Sequence, residues 1–196
     1  MQSQFYTLTD YPQGLPDRSL FKLETQTLPE LADGEVRIRN HWLSVDPYMR
    51  GRMNGVRTYV DPFELGKPME GGAIGEVIES NDPSLKVGDN VSHMGGWRDI
   101  AQLPAQGVTP LPDLDVPEQA YLGVLGMPGM TAWTGLNLIA ECKPGDNVLV
   151  SAASGAVGSL AVQLAKAKGC HVVGIAGAAH KLAWIESLGV EPVSYR

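Results

Sequence analysis

One stretch of the chain reads Asn147-Val148-Leu149-Val150-Ser151-Ala152-Ala153-Ser154-Gly155-Ala156-Val157-Gly158. Its first seven residues, 147–153, are largely apolar and rich in valine, which predicts a strand. The glycine that follows predicts a tight turn. Over residues 156–168 apolar side chains recur on one helical face, and Gly169 directly after this run is typical of a left-handed helix end. The stretch therefore predicts a strand, a turn and a helix in immediate succession.

A second strand and helix follow the first pair. His171–Ala176 predicts a strand, and Lys181–Leu188 predicts a short helix that ends at Gly189. The resulting βαβα order predicts an α/β fold with a parallel sheet. Only Val193-Ser194-Tyr195 can begin a third strand, whereas a doubly wound sheet needs about six strands. Residues 126–196 are therefore predicted to be the N-terminal part of an incomplete doubly wound domain.

Residues 1–125 are predicted to form a separate, irregular β domain. Short β-like runs alternate there with turn residues, at Val36–Asn40, Gly75–Ile78, Asn90–His93 and Val108–Leu111. Gly88-Asp89 and Gly145-Asp146 each predict a tight turn directly before a strand. A helix over Gly129–Ala140 is expected to join the domains, with its apolar stripe Trp133, Leu136 and Ile139 in a core.

Composition excludes several classes of protein. The net charge is −7 and no basic stripe is present, which argues against nucleic-acid binding. No stretch is long and apolar enough for a membrane span, and Met1–Asp10 lacks the pattern of a signal peptide, so a cytoplasmic location is expected. The two cysteines, Cys142 and Cys170, are far apart in sequence and disfavour both a disulfide framework and a thiolate zinc site.

The turn after the first predicted strand fits a dinucleotide fingerprint. Ala153-Ser154-Gly155-Ala156-Val157-Gly158 has alanine in the place of the first glycine, and it lies between a strand and a helix as the motif requires. Gly155 would let the backbone approach a pyrophosphate, and Gly158 would let the helix pack closely on the strand. The alternative interpretation is a purely structural βα turn.

The end of the second strand favours NADP over NAD. NAD sites usually carry an acidic residue there, which accepts hydrogen bonds from the ribose. Residues 174–179 are uncharged, and His180 and Lys181 follow. Lys181 suits a 2′-phosphate, because a cation in the first turn of a helix opposes the helix dipole unless an anion lies nearby. The alternatives are a solvated lysine and an incidental histidine.

Taken together, the chain resembles the leukotriene hydroxydehydrogenase, prostaglandin reductase and curcumin reductase branch of the medium-chain dehydrogenases/reductases. Two of the matching strings are fairly specific for this branch, namely Asp46-Pro47-Tyr48-Met49-Arg50 and Gly126-Met127-Pro128-Gly129-Met130-Thr131-Ala132. The longer segments that carry the resemblance are Trp42–Met53, 126–132, Val150–Ser159 and Gly169–Gly177.

The resemblance implies both architecture and activity. It implies a GroES-like irregular β-barrel domain followed by part of a Rossmann domain, and an oxidoreductase that uses NADPH to reduce the activated carbon–carbon double bond of an enone or enal. Substrate would lie in the cleft between the domains. The resemblance further implies that Gly155, Ala156, Val157 and Gly158 contact the pyrophosphate, that Lys181 contacts the 2′-phosphate, and that Tyr195 lies near the cofactor. It suggests a homodimer, although the sequence leaves the oligomeric state open.

Catalysis is expected to proceed without zinc. Where zinc-dependent relatives have a Gly-His-Glu string, this chain has Met69-Glu70-Gly71-Gly72, and neither cysteine lies in the β domain. A phenol could instead donate a hydrogen bond to the carbonyl oxygen as negative charge builds there. Tyr48 and Tyr59 are the candidate catalytic residues, and ordinary packing is the alternative for each. Arg50 is expected to be structural, in an ion pair with Asp46.

Two other functions stay open at this point. A quinone oxidoreductase of the same superfamily would use the same cofactor on a ring carbonyl. Alternatively, the 196-residue chain is a truncated product without autonomous activity, because its nucleotide-binding domain is predicted to be incomplete.

Overall fold

Ten strands and four α-helices form the structure, a computed structural model that describes residues 1–196. Backbone contacts divide the chain into unit 1, Met1–Gln119, and unit 2, Ala120–Arg196. The domain boundary predicted from the sequence lies at 125/126.

Unit 1 is built from antiparallel strands. Its elements are β1 (Gln2–Leu8), β2 (Phe21–Thr27), β3 (Glu35–Leu43), α1 (Pro47–Arg52), β4 (Ala73–Ser80), β5 (Asn90–His93), β6 (Ile100–Pro104) and β7 (Thr109–Pro110). β1 pairs with β2, and the other strands form a five-stranded sheet in the order β6-β3-β4-β5-β7. Short 3₁₀ helices occupy Arg18–Leu20 and Ala105–Gly107. All four β-like runs predicted from the sequence overlap a strand, and β5 has the predicted bounds.

Two clusters of buried side chains hold unit 1 together. The first lies on the five-stranded sheet and includes Val36, Ile38 and Val77, which are fully buried. The second packs around α1 and consists of Leu8, Met49, Met53, Phe63 and Met69. Burying one such side chain contributes about 1.5–3 kcal/mol. The second cluster therefore fixes α1, which carries the Tyr48 candidate.

The predicted Gly-Asp turns are confirmed. Gly88 has φ +94° and Gly145 has φ +89°, a backbone region that glycine adopts without strain. In the first turn a side-chain oxygen of Asp89 accepts a hydrogen bond from the backbone N–H of Lys86 at 2.7 Å. Asp146 accepts the same type of bond, again at 2.7 Å, in the turn before the next strand. The repeated sequence therefore repeats one local structure.

Unit 2 contains the predicted βαβα succession. Its elements are α2 (Met127–Thr134), β8 (Asn147–Val150), α3 (Ala156–Ala167), β9 (His171–Ala176), α4 (Ala179–Ser187) and β10 (Glu191–Ser194). The three strands are parallel in the order β10-β9-β8. A 3₁₀ helix over Glu118–Leu122 precedes α2, and Gly169 has φ +85° after α3, as predicted. The α/β class and the parallel sheet are therefore confirmed.

The predicted apolar stripe of α2 is only partly correct. Leu136 is buried, but Trp133 is 47% exposed and Ile139 is 79% exposed. The helix continues as a π-helix over Gly135–Ile139, where the N–H of Ala140 bonds the carbonyl of Gly135 five residues back. This wider turn rotates positions three residues apart away from a common face. The sequence spacing assumed α-helical geometry throughout.

The helices α3 and α4 bury one set of side chains against the sheet. Val162 and Ile185 are fully buried in a cluster with Ala153, Ala176 and Val190. This packing holds the start of each helix beside the end of the preceding strand. None of the helices is both long enough and apolar enough to cross a membrane.

Candidate functional site

The N-terminus of α3 presents backbone donors that the protein leaves unused. Gly155 is the N-cap and makes no side-chain cap, and the first helical hydrogen bond runs from the Ser159 N–H to the Gly155 carbonyl at 2.8 Å. The N–H groups of Ala156, Val157 and Gly158 therefore have no acceptor within the protein. Free N–H groups and the positive end of the helix dipole favour an anion such as a phosphate.

The two glycines of this turn meet different surroundings. A Cβ on Gly158 would clash with the carbonyl oxygen of Ala152 and come within 2.9 Å of the Ala153 Cα. A Cβ on Gly155 would meet only the Ala152 oxygen, at 3.1 Å. Gly158 therefore permits the close packing of helix on strand that the sequence predicts. Gly155 leaves the outer side of the turn open for a ligand to approach.

Two basic residues lie at the start of α4. Ala178 is the N-cap without a side-chain cap, no acidic residue occupies the first turn, and His180 and Lys181 are both exposed. β9 ends at Ala176 without a carboxylate. Because β8 and β9 are parallel, their carboxyl ends lie at the same edge of the sheet. The starts of α3 and α4 therefore flank one edge, where the predicted pyrophosphate and 2′-phosphate contacts would be found.

Tyr195 lies over the loop between β9 and α4. A Cβ on Gly177 would clash with the Tyr195 hydroxyl and come within 2.9 Å of the ring carbon Cε2. The ring is 67% exposed. Tyr195 therefore lies at the same edge of the sheet as the nucleotide turn, and its contact with cofactor stays a prediction.

In unit 1, Tyr48 has a buried hydroxyl without a partner. Pro47 occupies the first turn of α1, where its fixed φ suits a helix start. The Tyr48 ring packs against the cluster that contains Met49 and Phe63, and no hydrogen bond reaches its hydroxyl oxygen. Leaving a buried hydroxyl unsatisfied costs about 1–3 kcal/mol. Such a group is suited to bind a polar atom of a ligand.

Local electrostatics keep the Tyr48 phenol protonated. Burial raises the pKa of Tyr48 above its usual value of 10.0, and the negative charge of Asp46 raises it further. Arg52 opposes these effects, while Glu70 and Tyr59 add to them. At neutral pH Tyr48 is therefore a hydrogen-bond donor and not a phenolate.

Tyr59 is close enough to affect Tyr48 but is not enclosed. It is 86% exposed, in a loop where the Thr58 N–H bonds the Val60 carbonyl at 3.2 Å. Tyr59 makes the smallest of the contributions that raise the pKa of Tyr48. Both predicted tyrosines therefore lie in unit 1, and of the two only Tyr48 has a buried hydroxyl.

The predicted ion pair between Arg50 and Asp46 is wrong. Arg50 donates to the Asn54 side chain and to the Gly14 carbonyl, each at 2.5 Å. Asn54 and Asp46 both lie four positions from Arg50, but Asp46 is the N-cap residue with extended backbone, outside the helical turns, and the guanidinium of Arg50 is turned towards the C-terminal end of α1. The structural role of Arg50 is retained with different partners.

The sequence patterns did not predict a cluster of buried polar side chains around Gly95. The His93 Nδ1 accepts from the Gly95 N–H at 3.0 Å, while the His93 Nε2, the Trp97 Nε1 and the Asn40 Oδ1 are buried without partners. Burial, and then the charge of Arg98, lower the pKa of His93 from 6.5 to about 4. The available sequence signal was the alternation in β5, which turns both His93 and Val91 inward.

Comparisons with known proteins agree with this arrangement. A family model described as the N-terminal domain of oxidoreductase matches residues 4–111, and one described as zinc-binding dehydrogenase matches residues 156–196. The chain belongs to the medium-chain dehydrogenase/reductase superfamily. Its GroES-like and Rossmann-type architecture is that of this superfamily, as the sequence analysis expected.

Three proteins illustrate the relationship. The chain is 42% identical to the NADP⁺-dependent 2-alkenal reductase of Nicotiana tabacum over 92% of its own length and 54% of that protein. It is 41% identical to the NADPH-dependent curcumin reductase of Escherichia coli, over 90% of this chain and 51% of that one. The crystal structure of CurA in complex with NADPH from Vibrio vulnificus aligns with a TM-score of 0.91 at 38% identity, over 98% of this chain and 58% of CurA.

Two points distinguish this medium-chain dehydrogenase/reductase chain from the proteins and family models that it matches. The chain spans about half the length of the relatives that it matches. The second family model is described as zinc-binding, whereas no group of three or more His, Cys, Asp or Glu side chains in residues 1–196 could hold a metal ion. Zinc independence stays a prediction.

Proposed function

We propose that the protein is an NADPH-dependent reductase of carbon–carbon double bonds conjugated to a carbonyl group. The observation that carries the proposal is the Tyr48 hydroxyl, a buried, neutral donor without a partner in the protein. The printed activities of the tobacco and Escherichia coli relatives support the substrate class.

The residues present fit the cofactor. Three free N–H groups at the start of α3 suit the pyrophosphate, and the clash that any Cβ on Gly158 would cause explains the glycine there. Lys181 would face the 2′-phosphate, with His180 beside it, and no carboxylate at the end of β9 repels that phosphate. Gly155, Ala156, Val157 and Gly158 would hold the pyrophosphate, and Tyr195 would lie near the cofactor. NADPH, when bound, supplies a hydride.

The role of Tyr48 follows from charge. Reduction of an enone places a hydride on one carbon, so negative charge develops on the carbonyl oxygen before a proton reaches the other carbon. The Tyr48 O–H can donate a hydrogen bond to that oxygen, because its pKa is raised and it stays neutral. Tyr59, exposed in the neighbouring loop, is the second candidate donor.

A titration tests the proposal. The purified protein is titrated with NADPH and separately with NADH, following cofactor fluorescence, and then a 2-alkenal or a quinone is added. Tight binding of NADPH with alkenal-dependent oxidation supports the proposal. Turnover of the quinone alone would instead identify a quinone oxidoreductase, and failure to bind either nucleotide would refute the assignment for the protein tested.

Substitution of the two tyrosines separates their roles. Tyr48→Phe keeps the ring in its cluster and removes only the hydroxyl, so we expect kcat for the alkenal to fall about 100-fold while the Kd for NADPH is unchanged. Tyr59→Phe is the matched variant. If Tyr59→Phe causes the larger loss, Tyr59 is the donor and the assignment of Tyr48 is wrong.

A further inference from the structure

Two thiols that are distant in sequence meet in unit 2. The sulfur atoms of Cys142 and Cys170 are 3.2 Å apart, and both cysteines are free. Pairing of neighbouring strands explains the approach. The His171 N–H bonds the Asp146 carbonyl and the Gly145 N–H bonds the Gly169 carbonyl, so the chain just before β8 runs beside the chain just before β9.

Both cysteine backbones are held in place. The Cys142 N–H bonds the Leu136 carbonyl at 2.9 Å, and the Cys170 N–H bonds the Ala165 carbonyl at 3.1 Å. Cys142 is only 5% exposed, whereas Cys170 is partly exposed and lines a pocket of about 450 Å³. A disulfide requires a sulfur separation of about 2.05 Å, so closing the bond needs a movement of about 1.2 Å. One sulfur is thus accessible to a small oxidant and the other is already beside it.

We propose that Cys142 and Cys170 form a reversible, redox-sensitive disulfide. The bond would cross-link the chain just before β8 to the chain just before β9 in unit 2. The loop that it closes runs from residue 142 to residue 170 and contains β8, the glycine turn and α3. Its free N–H groups lie at the opposite edge of the sheet, so the bond leaves the phosphate-binding turn unobstructed. In a reducing compartment the thiols stay free, and a peroxide oxidises them to the disulfide.

The chemistry balances with hydrogen peroxide as the oxidant. The Cys170 thiol releases its proton, and the thiolate attacks one peroxide oxygen. The O–O bond breaks, giving a sulfenic acid and a hydroxide, which takes up the released proton and becomes water. The Cys142 sulfur then attacks the sulfenic sulfur, forming the S–S bond and releasing a second water. Two thiols are oxidised by two electrons in total and one peroxide is reduced. A reducing dithiol reverses the process.

The surroundings of Cys170 make formation of the disulfide slow. The hydrogen bond with Cys142 raises the pKa of Cys170, and burial and the charge of Asp146 raise it further, while Lys168 opposes them. His171 follows Cys170 directly in the chain. The Cys170 thiol donates a hydrogen bond to the Lys143 carbonyl oxygen at 3.3 Å. Because only the thiolate attacks peroxide, the rate of oxidation is expected to rise about tenfold from pH 7 to pH 8.

Peroxide treatment of the purified protein provides the test. We expect both thiols to disappear together, with loss of two hydrogen atoms by mass, one intramolecular cross-linked peptide containing Cys142 and Cys170, and full recovery with dithiothreitol. Because the bond closes a long loop, the thermal midpoint of the oxidised protein should rise by about 5 °C or more. Binding of NADPH should change less than twofold.

Single variants make the outcome decisive. In Cys142→Ser, peroxide should leave Cys170 as a sulfinic acid or unreacted, with no rise in the thermal midpoint. Cys142→Ala serves the same purpose if the buried serine hydroxyl prevents folding. The proposal is overturned if wild-type Cys170 is oxidised while Cys142 keeps a free thiol, if the cross-link forms only between molecules, or if the oxidised protein is no more stable than the reduced one.

Discussion

Removal of the Lys181 charge should weaken NADPH binding and spare NADH. Two unit charges 4 Å apart interact by about 1 kcal/mol in water, and a phosphate monoester carries about 1.5–2 negative charges. Lys181 is exposed and is not held in any ion pair, so the water value applies. After screening by salt, about 1.4 kcal/mol remains, which corresponds to a tenfold increase in the Kd of NADPH for Lys181→Ala.

Cofactor fluorescence titrations at low and high salt measure this effect, with two control variants. Lys181→Arg keeps the charge and should bind NADPH nearly as the wild type does. Lys143→Ala removes an exposed lysine before β8, at the other edge of the sheet, and changes the net charge equally. The apo form of Lys181→Ala should be no less stable, because a cation in the first turn of α4 opposes the helix dipole. Equal losses for NADPH and NADH would refute the 2′-phosphate contact.

Three further predictions follow from particular residues. The folded-state pKa of His93, about 4, lies below its unfolded value of 6.5, so its contribution to stability is present above pH 6.5 and is lost as pH falls towards 4. Urea unfolding should show about 2 kcal/mol less stability at pH 5 than at pH 7 from this residue, and His93→Asn, which cannot be protonated, should remove that part of the dependence. Gly158→Ala should raise the Kd of NADPH in the same titration and lower the thermal midpoint, since its Cβ meets the backbone of Ala152. Gly177→Ala, whose Cβ meets the movable Tyr195 ring, should lower the midpoint far less. The alkenal reductase rate of the wild type should show no loss attributable to Tyr48 up to about pH 10, because burial raises the pKa of Tyr48 above 10.0. If the wild-type rate instead declines below pH 9, and Tyr48→Phe abolishes that decline, this expectation is wrong.

Some strands of unit 1 lie outside what sequence patterns could predict. In β1 exposed and buried positions alternate from Gln2 to Thr7, but two of the buried positions are occupied by Ser3 and Thr7, which are fully buried. The Ser3 hydroxyl bonds the carbonyl of Ile100 at 2.7 Å, almost a hundred residues away. Hydropathy alone marks such positions as exposed, because the partner that satisfies a buried hydroxyl is known only from the tertiary structure. β2 is exposed at most positions and offers no alternation to detect.

The candidate site likewise has some features that the sequence predicts and others that only the tertiary structure reveals. The free N–H groups at the start of α3 and the need for Gly158 follow from a strand, a turn and a helix that are adjacent in sequence. The sequence therefore predicts them well. By contrast, the unpartnered hydroxyl of Tyr48 depends on α1 packing against residues from other segments, such as Leu8 and Phe63. Tyr48 could be named from the sequence as a candidate, but its desolvation could not.

Sequence by itself determined the order of strands and helices in unit 2, the glycine turn and the absence of an acidic residue at the end of β9. These features depend on periodicity and turn chemistry, which act over a few residues. Only the tertiary structure decided the partners of Arg50, the exposure of Ile139 after the π-helix, and the contact between Cys142 and Cys170. The distance between residues far apart in the chain depends on strand pairing and packing, and no local pattern in the sequence records it.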